Sequence, residues 1–226
     1  MGAARGTLWL HVGTHKTGTT SIQEAIVARK DALRAAGIAV FPEANAWRLA
    51  NFFIRPSLRT TPRLQGLPLP ELADLDREMA SLAAFRAENP GDLIISSEEF
   101  CMLRHMVEAQ ALRSTIGAMF ARIVPILVLR DVEDWKRSRA DQLRKTGVWE
   151  AHKALPDELS ADGAWYYDAA VIRNFWSGLG DLREIDYDAS CRQDGSVLPA
   201  FARAIGQGGM FDGLDIRLNE RTGEAR

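Results

Sequence analysis

Residues 8–23 read LWLHVGTHKTGTTSIQ, which predicts a buried strand, a tight glycine loop and the first turn of a helix. Unpaired backbone N–H groups and the positive end of the helix dipole meet at such a helix N-terminus. They make it an anion site before any side chain is counted. Gly13 and Gly18 permit backbone angles that a side chain would forbid, and they let a ligand approach closely.

The cation of this loop is placed differently from that of the ATP-binding P-loop. In the pattern G-x-x-x-x-G-K-[ST] a lysine follows the second glycine. Here Thr19 and Thr20 follow Gly18, and the lysine is Lys16. The two hydroxyls add hydrogen-bond donors and Lys16 adds a point charge. The sequence thus predicts a phosphate-type ligand whose cation lies in a different position.

The composition is that of an ordinary globular chain. Its 226 residues, of which 46% are hydrophobic and 26% charged, suffice for a full core, and we predict one domain over residues 1–226. The formal net charge of −2 gives no global attraction to nucleic acid or to an anionic membrane, so a local cluster of charge must draw any anionic ligand. Cys101 and Cys191 lack metal-type or redox spacing, and neither a zinc site nor a disulfide is predicted.

Targeting signals are not recognisable in this sequence. No apolar run approaches the roughly 20 residues of a membrane span, and the first six residues, MGAARG, are too short for a signal peptide. We therefore expect a cytoplasmic protein without a membrane span and without nucleic acid as a partner. No motif indicates an oligomeric state, which is left open.

Predicted strands and helices alternate along the chain. The strands are short apolar runs, and the helices show a period of 3.6 residues. The strands are expected at 8–12, 38–41, 93–96, 123–129 and 182–187, and the helices at 20–36, 70–88, 99–122, 131–145, 162–179 and 197–205. This order indicates an α/β fold, a P-loop-type parallel sheet flanked by helices on both faces.

Two less regular segments, 42–70 and 146–167, are predicted to be excursions that face the substrate. The first carries Arg48, Arg55, Arg59 and Arg63, with no acidic residue from position 44 onward. Its local field can draw an anionic acceptor or a nucleotide, or it can be a solvated basic loop. The second is rich in tryptophan and tyrosine, which can stack on a flat acceptor or pack in the core.

Polar clusters follow three of the predicted strands. They are the glycine loop after the first strand, the SSEE run at 96–99 after the third, and Arg130-Asp131 after the fourth. Ligands of open parallel sheets bind outside the carboxyl ends of the strands, so we expect these clusters to converge on one crevice. Asp131 is also the predicted N-cap of the following helix.

Two of these clusters resemble motifs of a known family. Residues 15–20, HKTGTT, are similar to the 5′-phosphosulfate-binding loop of sulfotransferases that use 3′-phosphoadenosine 5′-phosphosulfate (PAPS). The run 127–130, LVLR, with Ser138 after it, resembles the second motif of that family, whose arginine and serine bind the 3′-phosphate. Weaker matches at 185–188 and 218–220 resemble the bacterial, carbohydrate-type branch.

The resemblance implies a site for PAPS and for its product 3′,5′-ADP. The implied cofactor-binding residues are Gly13, His15, Lys16, Thr17, Gly18, Thr19 and Thr20 around the 5′-phosphate, and Arg130 and Ser138 at the 3′-phosphate. Many relatives have a proline after the second motif's arginine, where this chain has Asp131-Val132, which removes no ligand. Alternatively, Arg130 pairs with Asp131 or Asp134, and His15 only shapes the loop.

Sulfuryl chemistry accounts for the position of the lysine. A γ-phosphoryl group carries several charges and needs Mg²⁺ as well as a lysine. A sulfuryl group carries less charge and leaves from a phosphate of low basicity, so we expect no metal. Lys16, with the N–H groups of the loop, is predicted to hold the bridging oxygen and to stabilise charge as the S–O bond breaks.

The acceptor hydroxyl needs a general base within hydrogen-bond reach. Glu98 is the first candidate because it ends a strand that faces the crevice, and Glu99 is the second because neighbouring positions there point to opposite sides. Glu43 is the third, since some relatives carry their base a comparable distance beyond the loop lysine. Glu98 and Glu99 can also be ordinary helix N-terminal carboxylates. His11 is predicted to be a core histidine with its polar atoms satisfied.

The sequence therefore predicts an enzyme that transfers a sulfuryl group from PAPS to a hydroxyl acceptor without a metal and releases 3′,5′-ADP. The acceptor is a small molecule or a glycan, carbohydrate-like by resemblance only. A P-loop nucleotide kinase or NTPase is one alternative, although no lysine follows Gly18 and only Asp131 offers an acid at a strand end. A nucleotide-binding module without a catalytic base is another, against which Glu98 argues.

Overall fold

A computed structural model describes residues 6–214 and 216 of the chain. Within these residues, five strands form one parallel sheet. The strands are β1 (Thr7–His11), β2 (Ile38–Val40), β3 (Asp92–Ser96), β4 (Arg122–Leu129) and β5 (Arg183–Asp186). The spatial order is β2-β3-β1-β4-β5, which places β1 at the centre.

Helices connect the strands and cover the sheet. The α-helices are α1 (Thr19–Ala28), α2 (Lys30–Ala35), α3 (Trp47–Asn51), α4 (Thr61–Leu64), α5 (Leu72–Glu88), α6 (Met106–Ser114), α7 (Val132–Lys145), α8 (Trp149–Lys153), α9 (Ala169–Leu179), α10 (Tyr187–Asp194) and α11 (Leu198–Ala204). Short 3₁₀ segments lie at Glu98–Met102, Gly117–Met119 and Ala164–Tyr167. None of the described helices combines the length and apolar character needed to cross a membrane.

Alternation along the strands builds two cores, one on each face of the sheet. On β1, Leu8 and Leu10 face a core that includes residues of α3, α6, α7 and α9, whereas Trp9 faces a core with residues of α1, α2 and α11. On β3, Leu93 belongs to the first core and Ile94 to the second. Because both faces are apolar and covered, the predicted α/β fold with a parallel sheet between helices is confirmed.

The predicted strands agree with the observed ones within two residues at each end, but three of the predicted helices were wrong. The helix predicted at 20–36 is divided at Arg29 into α1 and α2. The helix predicted at 99–122 is a 3₁₀ turn, an extended residue at Leu103, and then α6, whose start His105 marks with a capping box. The residues between Phe100 and Leu103 are buried in the core instead of lining one helix face.

Aspartate caps set the other helix starts that the sequence prediction misplaced. The helix predicted from 162 begins at Ala169 as α9, because the Asp168 carboxylate accepts hydrogen bonds from two backbone N–H groups of its first turn. Helix α10 was not predicted at all, although Asp186 caps it in the same way. The predicted helix at 197–205 is α11.

The central position of β1 brings the ends of three strands together. His11, the last residue of β1, pairs with Ser96 of β3 on one side and with Ile126 of β4 on the other. The chain segments that leave β1, β3 and β4 therefore start next to one another at one edge of the sheet, as the sequence predicted.

The two predicted excursions contact each other and contain short helices that the sequence did not indicate, α3, α4 and α8. The backbone N–H of Arg59 donates to the carbonyl of Leu159 at 2.7 Å, and the N–H of Ala161 donates to the carbonyl of Arg59 at 3.4 Å. The interpretation of the whole 44–70 stretch as a solvated or ligand-drawing basic loop was wrong for Arg63, which donates to backbone carbonyls of residues 54, 55 and 58.

Arg55 is also used inside the protein, because it pairs with the buried Glu108. The Glu108 carboxylate accepts from the backbone N–H and the guanidinium of Arg55 at 3.0 and 3.2 Å, and from the N–H groups of Arg104 and His105 at 2.8 and 2.9 Å. A fully hydrogen-bonded carboxylate thus fixes the first excursion to the start of α6.

Replacing Glu108 with alanine should lower the free energy of unfolding by about 3–5 kcal/mol, because it leaves the largely buried guanidinium of Arg55 without its carboxylate partner. Urea denaturation measures the change. The matched control is Glu133→Ala, since the Glu133 side chain is 71% exposed in its ion pair with Lys136 and should contribute about 1 kcal/mol or less. Equally small changes in both variants would contradict the role of Glu108.

Candidate active site

The loop between β1 and α1 is fastened to β4. The N–H of Val12 donates to the carbonyl of Ile126 at 2.9 Å, and both the N–H and the hydroxyl of Thr14 donate to the carbonyl of Val128, at 3.3 and 3.0 Å. The hydroxyl of Thr17 then closes the loop onto the carbonyl of Thr14. The loop is therefore continuous with the sheet, and its shape is fixed by buried hydrogen bonds.

The two glycines of the loop are needed for different reasons. Gly18 has φ of 78° and Lys16 has φ of 68°, both in the left-handed region that favours glycine. At Gly13, by contrast, a Cβ would lie 2.5 Å from Nε2 of His11. Gly13 thus makes room for a core side chain, whereas Gly18 makes the turn into α1. The left-handed lysine costs of order 1–3 kcal/mol, which the surrounding hydrogen bonds must offset.

Helix α1 presents an open N-terminus to this loop. Gly18 occupies the N-cap position, no described side chain caps the helix, and its first turn carries no acidic residue. The Thr19 hydroxyl is buried and has no hydrogen-bond partner in the part of the chain that the structure describes. These unpaired donors and the helix dipole fit an anion of phosphate type.

Lys16 lies half-buried among other cations. Burial lowers its pKa, the charges of Lys145, Arg139 and Arg130 lower it further, and Asp141 opposes them. The backbone of the loop is joined to this group as well, since Arg130 Nη1 donates to the carbonyl of Lys16 at 3.1 Å. An anion in the loop would relieve the repulsion among these charges.

Arg130 is partly paired and partly unpaired. Its Nη2 lies 3.5 Å from Asp188 Oδ1 and 4.0 Å from Asp134 Oδ2, and its guanidinium lies 5.2 Å from the ring centroid of Tyr187. Its Nε is buried without a hydrogen-bond partner among residues 6–214 and 216. The predicted ion pair with Asp134 is therefore present, yet one buried donor of the guanidinium is left for a ligand.

The start of α7 agrees with the sequence prediction. The Asp131 carboxylate accepts from the backbone N–H groups of Glu133 and Asp134, both at 3.0 Å, so the predicted N-cap is confirmed. Asp131 is the cap, and the contacts of Arg130 are with Asp134 and Asp188. Ser138 is half-buried on α7, two turns beyond Arg130.

Glu98 and Glu99 contact different neighbours. Glu98 is half-buried, and its Oε2 accepts from Gln23 Nε2 at 3.3 Å and from Asn45 Nδ2 at 3.2 Å. Glu99 is buried, and its Oε1 lies 3.5 Å from His15 Nε2. The first carboxylate therefore faces α1 and the segment after β2, and the second faces the loop.

His15 is held at both ring nitrogens. Its Nδ1 lies 2.6 Å from the hydroxyl of Tyr166, which also accepts from the His15 backbone N–H at 3.1 Å, while Nε2 faces Glu99. This favours the loop-shaping role of His15 over contact with the acceptor. Sequence reasoning considered Tyr166 only for stacking or core packing, because a partner 151 residues away leaves no local pattern.

Ionisation at this contact follows from burial and charge. Burial raises the pKa of Glu99, but the contact with His15 and the charges of Arg139 and Arg63 outweigh it, so that the pKa lies below its usual value. Burial raises the pKa of Cys101, which stays a thiol beside Tyr166. Cys101 is thus a buried free thiol, whose raised pKa makes it a poor nucleophile.

Glu43 follows β2 and is exposed. Partial burial and the charge of Glu78 raise its pKa, and Arg48 lowers it. It lies two residues before Asn45, whose side chain contacts Glu98. Glu43 is thus close in sequence to a residue that contacts Glu98, whereas Glu99 contacts His15 of the loop.

Concave surface is present next to Arg130. A cleft of about 600 Å³ lies at the carboxyl ends of β4 and β5, lined by residues that include Arg130, Asp188 and Arg192. A groove of about 480 Å³ lies at the opposite end of the sheet, beside Gly37 and Gly91, away from the loop. No group of three or more His, Cys, Asp or Glu side chains in the described ranges is arranged to hold a metal ion.

Comparison with solved structures identifies the fold. A sulfotransferase from Alicyclobacillus acidocaldarius matches with a TM-score of 0.61 and 18% sequence identity, over 97% of this chain and 87% of that chain. The chain has a sulfotransferase fold. The sulfotransferase domain from the curacin biosynthetic pathway matches with a TM-score of 0.46 and 15% identity, over 92% of this chain and 76% of that chain. Neither a family model nor a curated protein matches the sequence.

The sulfotransferase fold expected from the loop and the LVLR motif is thus confirmed, whereas the carbohydrate-type branch stays a prediction. Residues 185–188 form the end of β5 and the start of α10. The second part of that weaker match, 218–220, lies outside the described residues.

Beneath the loop, His11 is a core residue as predicted, but only one of its ring nitrogens is satisfied. Nδ1 lies 2.8 Å from the hydroxyl of Ser96, and the ring packs edge-on against Phe201 at 5.2 Å. Nε2 has no hydrogen-bond partner among the described residues. Burial lowers the pKa of His11 to about 3, so the ring is neutral in the folded protein.

His11 should make the protein less stable in acid. Because its pKa falls from 6.5 when unfolded to about 3 when folded, the unfolded chain binds more protons between these values, and stability falls as the pH falls through this window. Between pH 7 and pH 5, the free energy of unfolding of His11→Asn should therefore fall by about 2 kcal/mol less than that of wild type, as measured by urea denaturation. Equal losses in the two proteins would show that His11 is protonated in the folded state.

Proposed function

We propose that this protein is a sulfotransferase that moves a sulfuryl group from PAPS to a hydroxyl acceptor and releases 3′,5′-ADP. The proposal rests on two groups of hydrogen-bond donors that lack partners, both at the end of the sheet where β1 and β4 end. One is the open N-terminus of α1 with the Thr19 hydroxyl, and the other is Arg130 Nε. Arg130 joins the two through the Lys16 carbonyl, and a ligand with two phosphate groups would satisfy both. The shared fold supports the same function.

Lys16 and the N–H groups of the loop would stabilise the charge of the leaving group. PAPS, when bound, supplies the sulfuryl group and the phosphate from which it leaves. Negative charge grows on that phosphate as the S–O bond breaks, and preorganised donors in a half-buried site stabilise it more than water does. The cations around Lys16 strengthen this effect, because they already repel one another before an anion arrives.

Glu98 would accept the proton of the acceptor hydroxyl. Two amide groups hold its Oε2, which fixes the carboxylate, while no described residue engages Oε1. As the acceptor oxygen bonds to sulfur, the bond from sulfur to the bridging oxygen breaks, its electron pair stays on the 5′-phosphate, and the proton passes to Glu98. Glu99 is already engaged by His15, and Glu43 is exposed.

Nucleotide binding separates this proposal from a kinase or NTPase. Calorimetric titration should show tight binding of 3′,5′-ADP without metal, and a preference for ATP with Mg²⁺ would contradict the proposal. Arg130→Gln should weaken 3′,5′-ADP binding roughly 10- to 100-fold because it removes a charged hydrogen-bond donor, and Thr19→Val should weaken it less. The control is Arg77→Gln, since the Arg77 side chain is 71% exposed in its pair with Asp74 and should not affect binding.

Turnover tests the general base. Glu98→Gln keeps the shape of the side chain but cannot accept the proton, so turnover of PAPS over a panel of hydroxyl acceptors should fall roughly 10²–10⁴-fold. Binding of 3′,5′-ADP should not change. Unchanged turnover would transfer the role to Glu43 or Glu99. Binding by wild type without turnover on any acceptor would favour a nucleotide-binding module.

A further inference from the structure

A buried polar cluster lies behind the loop, between α7 and the second excursion. It consists of Glu99, Arg139, His152 and Asp162, of which the first three are 6%, 1% and 3% exposed. Arg139 Nε lies 3.7 Å from Asp162 Oδ1. The N–H of Asp162 donates to the hydroxyl of Ser160, and that hydroxyl lies 3.2 Å from His152 Nδ1. These contacts place Arg139 and His152 in one connected group.

The same group adjoins the reactive loop. Trp135 lies one turn before Arg139 on α7, and its ring packs on Tyr166 at 4.8 Å. The Tyr166 hydroxyl contacts His15, which precedes Lys16 in the loop. The charge of Arg139 is one of those that lower the pKa of Lys16, after burial and Lys145. The cluster is thus next to the place where the sulfuryl group would be transferred.

Three atoms of the cluster lack a hydrogen-bond partner within the described part of the chain: Glu99 Oε2, Arg139 Nε and His152 Nε2. Buried polar atoms in folded proteins are nearly all paired, and each exception needs an explanation. Two of these exceptions, on Arg139 and His152, come from different segments and belong to one group of contacts, and the charge of Arg139 also acts on Glu99. A ligand that accepts hydrogen bonds and enters here would supply partners for the two nitrogens, Arg139 Nε and His152 Nε2.

The charge of Arg139 indicates what kind of ligand this is. A guanidinium cannot be discharged by burial, and its hydrogen-bond partners are neutral: the Thr61 hydroxyl at 3.2 Å and Gln142 Oε1 at 3.4 Å. The carboxylate of Asp162 stands beyond hydrogen-bond distance, and the same oxygen already accepts from the Tyr167 hydroxyl. The buried cation therefore lacks a directly bonded anion.

Other charged groups around Arg139 do not supply this anion. The charge of Arg139 lowers the pKa of Glu99, but Glu99 Oε1 lies against His15 and Oε2 has no hydrogen-bond partner among the described residues. Burial lowers the pKa of His152 to about 4, with the charges of Arg139 and His15 adding to the effect, so His152 offers a hydrogen-bonding nitrogen without a charge. Lys16 and Arg63 are further cations that act on this group.

We propose that Arg139 and His152 form a subsite for an anionic group of the acceptor, so that the acceptor carries a carboxylate, a sulfate ester or a phosphate ester in addition to its reacting hydroxyl. This inference rests on the proposed sulfotransferase function, to which it adds the class of acceptor. The stretch from 44 to 70 borders the same subsite through Thr61, and the exposed Arg59 of this stretch would draw such an acceptor toward it.

The way into the subsite is closed by two short segments. Residues 59–61 of the first excursion and 159–162 of the second are held together by the backbone pair of Arg59 and Ser160. Separation of this pair would expose Arg139, and the anionic group would then occupy the space between the segments. Binding of the acceptor is therefore coupled to local opening.

Small anions test the subsite directly in the wild-type protein. With 3′,5′-ADP saturating the nucleotide site, titration with acetate, inorganic sulfate or inorganic phosphate should shift the NMR signal of the Arg139 Nε–H group. Acetamide, the neutral counterpart of acetate, should not shift it. A stronger response to acetate than to sulfate and phosphate would indicate a carboxylate, and the reverse an ester anion. If none of the three anions shifts the Arg139 signal, the proposal is overturned.

Variants give a second, independent measurement. Arg139→Lys identifies the Arg139 signal, and Arg139→Gln should weaken anion binding by roughly 10- to 100-fold, because a hydrogen bond between charged groups is lost. Arg137→Gln, on the exposed side of the same helix, should bind as wild type does. In turnover, Arg139→Gln should raise the KM of anionic acceptors more than that of neutral acceptors, and equal effects on both classes would contradict a specificity role.

The two proposals fail in different ways. If 3′,5′-ADP does not bind, the proposed sulfotransferase function is contradicted, whereas the Arg139 signal still reports whether anions reach the subsite. If 3′,5′-ADP binds and turnover occurs but acetate and acetamide behave alike, only the anionic subsite is contradicted. Should Arg139→Gln fail to fold, the acetate and acetamide pair decides the question in the wild-type protein.

Discussion

The concentration of positive charge at Lys16 is the constraint on which the rest of the site depends. A half-buried lysine in a left-handed conformation, close enough to Arg130, Arg139 and Lys145 for their charges to lower its pKa, is unfavourable by itself. The fold holds it through buried hydrogen bonds from the loop to β4 and from His15 to Tyr166. The repulsion among these charges is what an anionic ligand would relieve.

Glu98 and Glu99, which follow β3, contact different neighbours because a 3₁₀ turn begins there. Ser97 caps the turn by accepting from the N–H of Glu99, which directs Glu99 to His15 behind the loop and leaves Glu98 beside Gln23 and Asn45. One carboxylate is therefore buried against the loop, while the other stays half-buried beside α1. Geometry, rather than residue type, separates a supporting role from a candidate catalytic one.

The sequence predicted the features that local pattern controls. Apolar runs marked the five strands, the glycines and threonines marked the loop at 12–18, and the Asp131 cap was recognisable because its interactions lie within a few residues. Contacts over long separations could not be predicted: Glu108 meets Arg55 across 53 residues. The helix expected at 99–122 failed for the same reason, since tertiary burial of the segment around Leu103 overrides its local helical pattern.

Arg139 was overlooked although the sequence contained a signal for it. The buried residues of α7 are Trp135, Arg139 and Leu143, four residues apart, so the arginine occupies the stripe of the helix that faces the core. A well-packed apolar residue at such a position would usually serve stability as well or better, because desolvation of the charge is costly. The unpaired Thr19 hydroxyl and the left-handed backbone of Lys16 are likewise unfavourable for stability. These unfavourable features gather at the edge of the sheet where β1, β3 and β4 end, while the two apolar cores on its faces supply the stability that tolerates them.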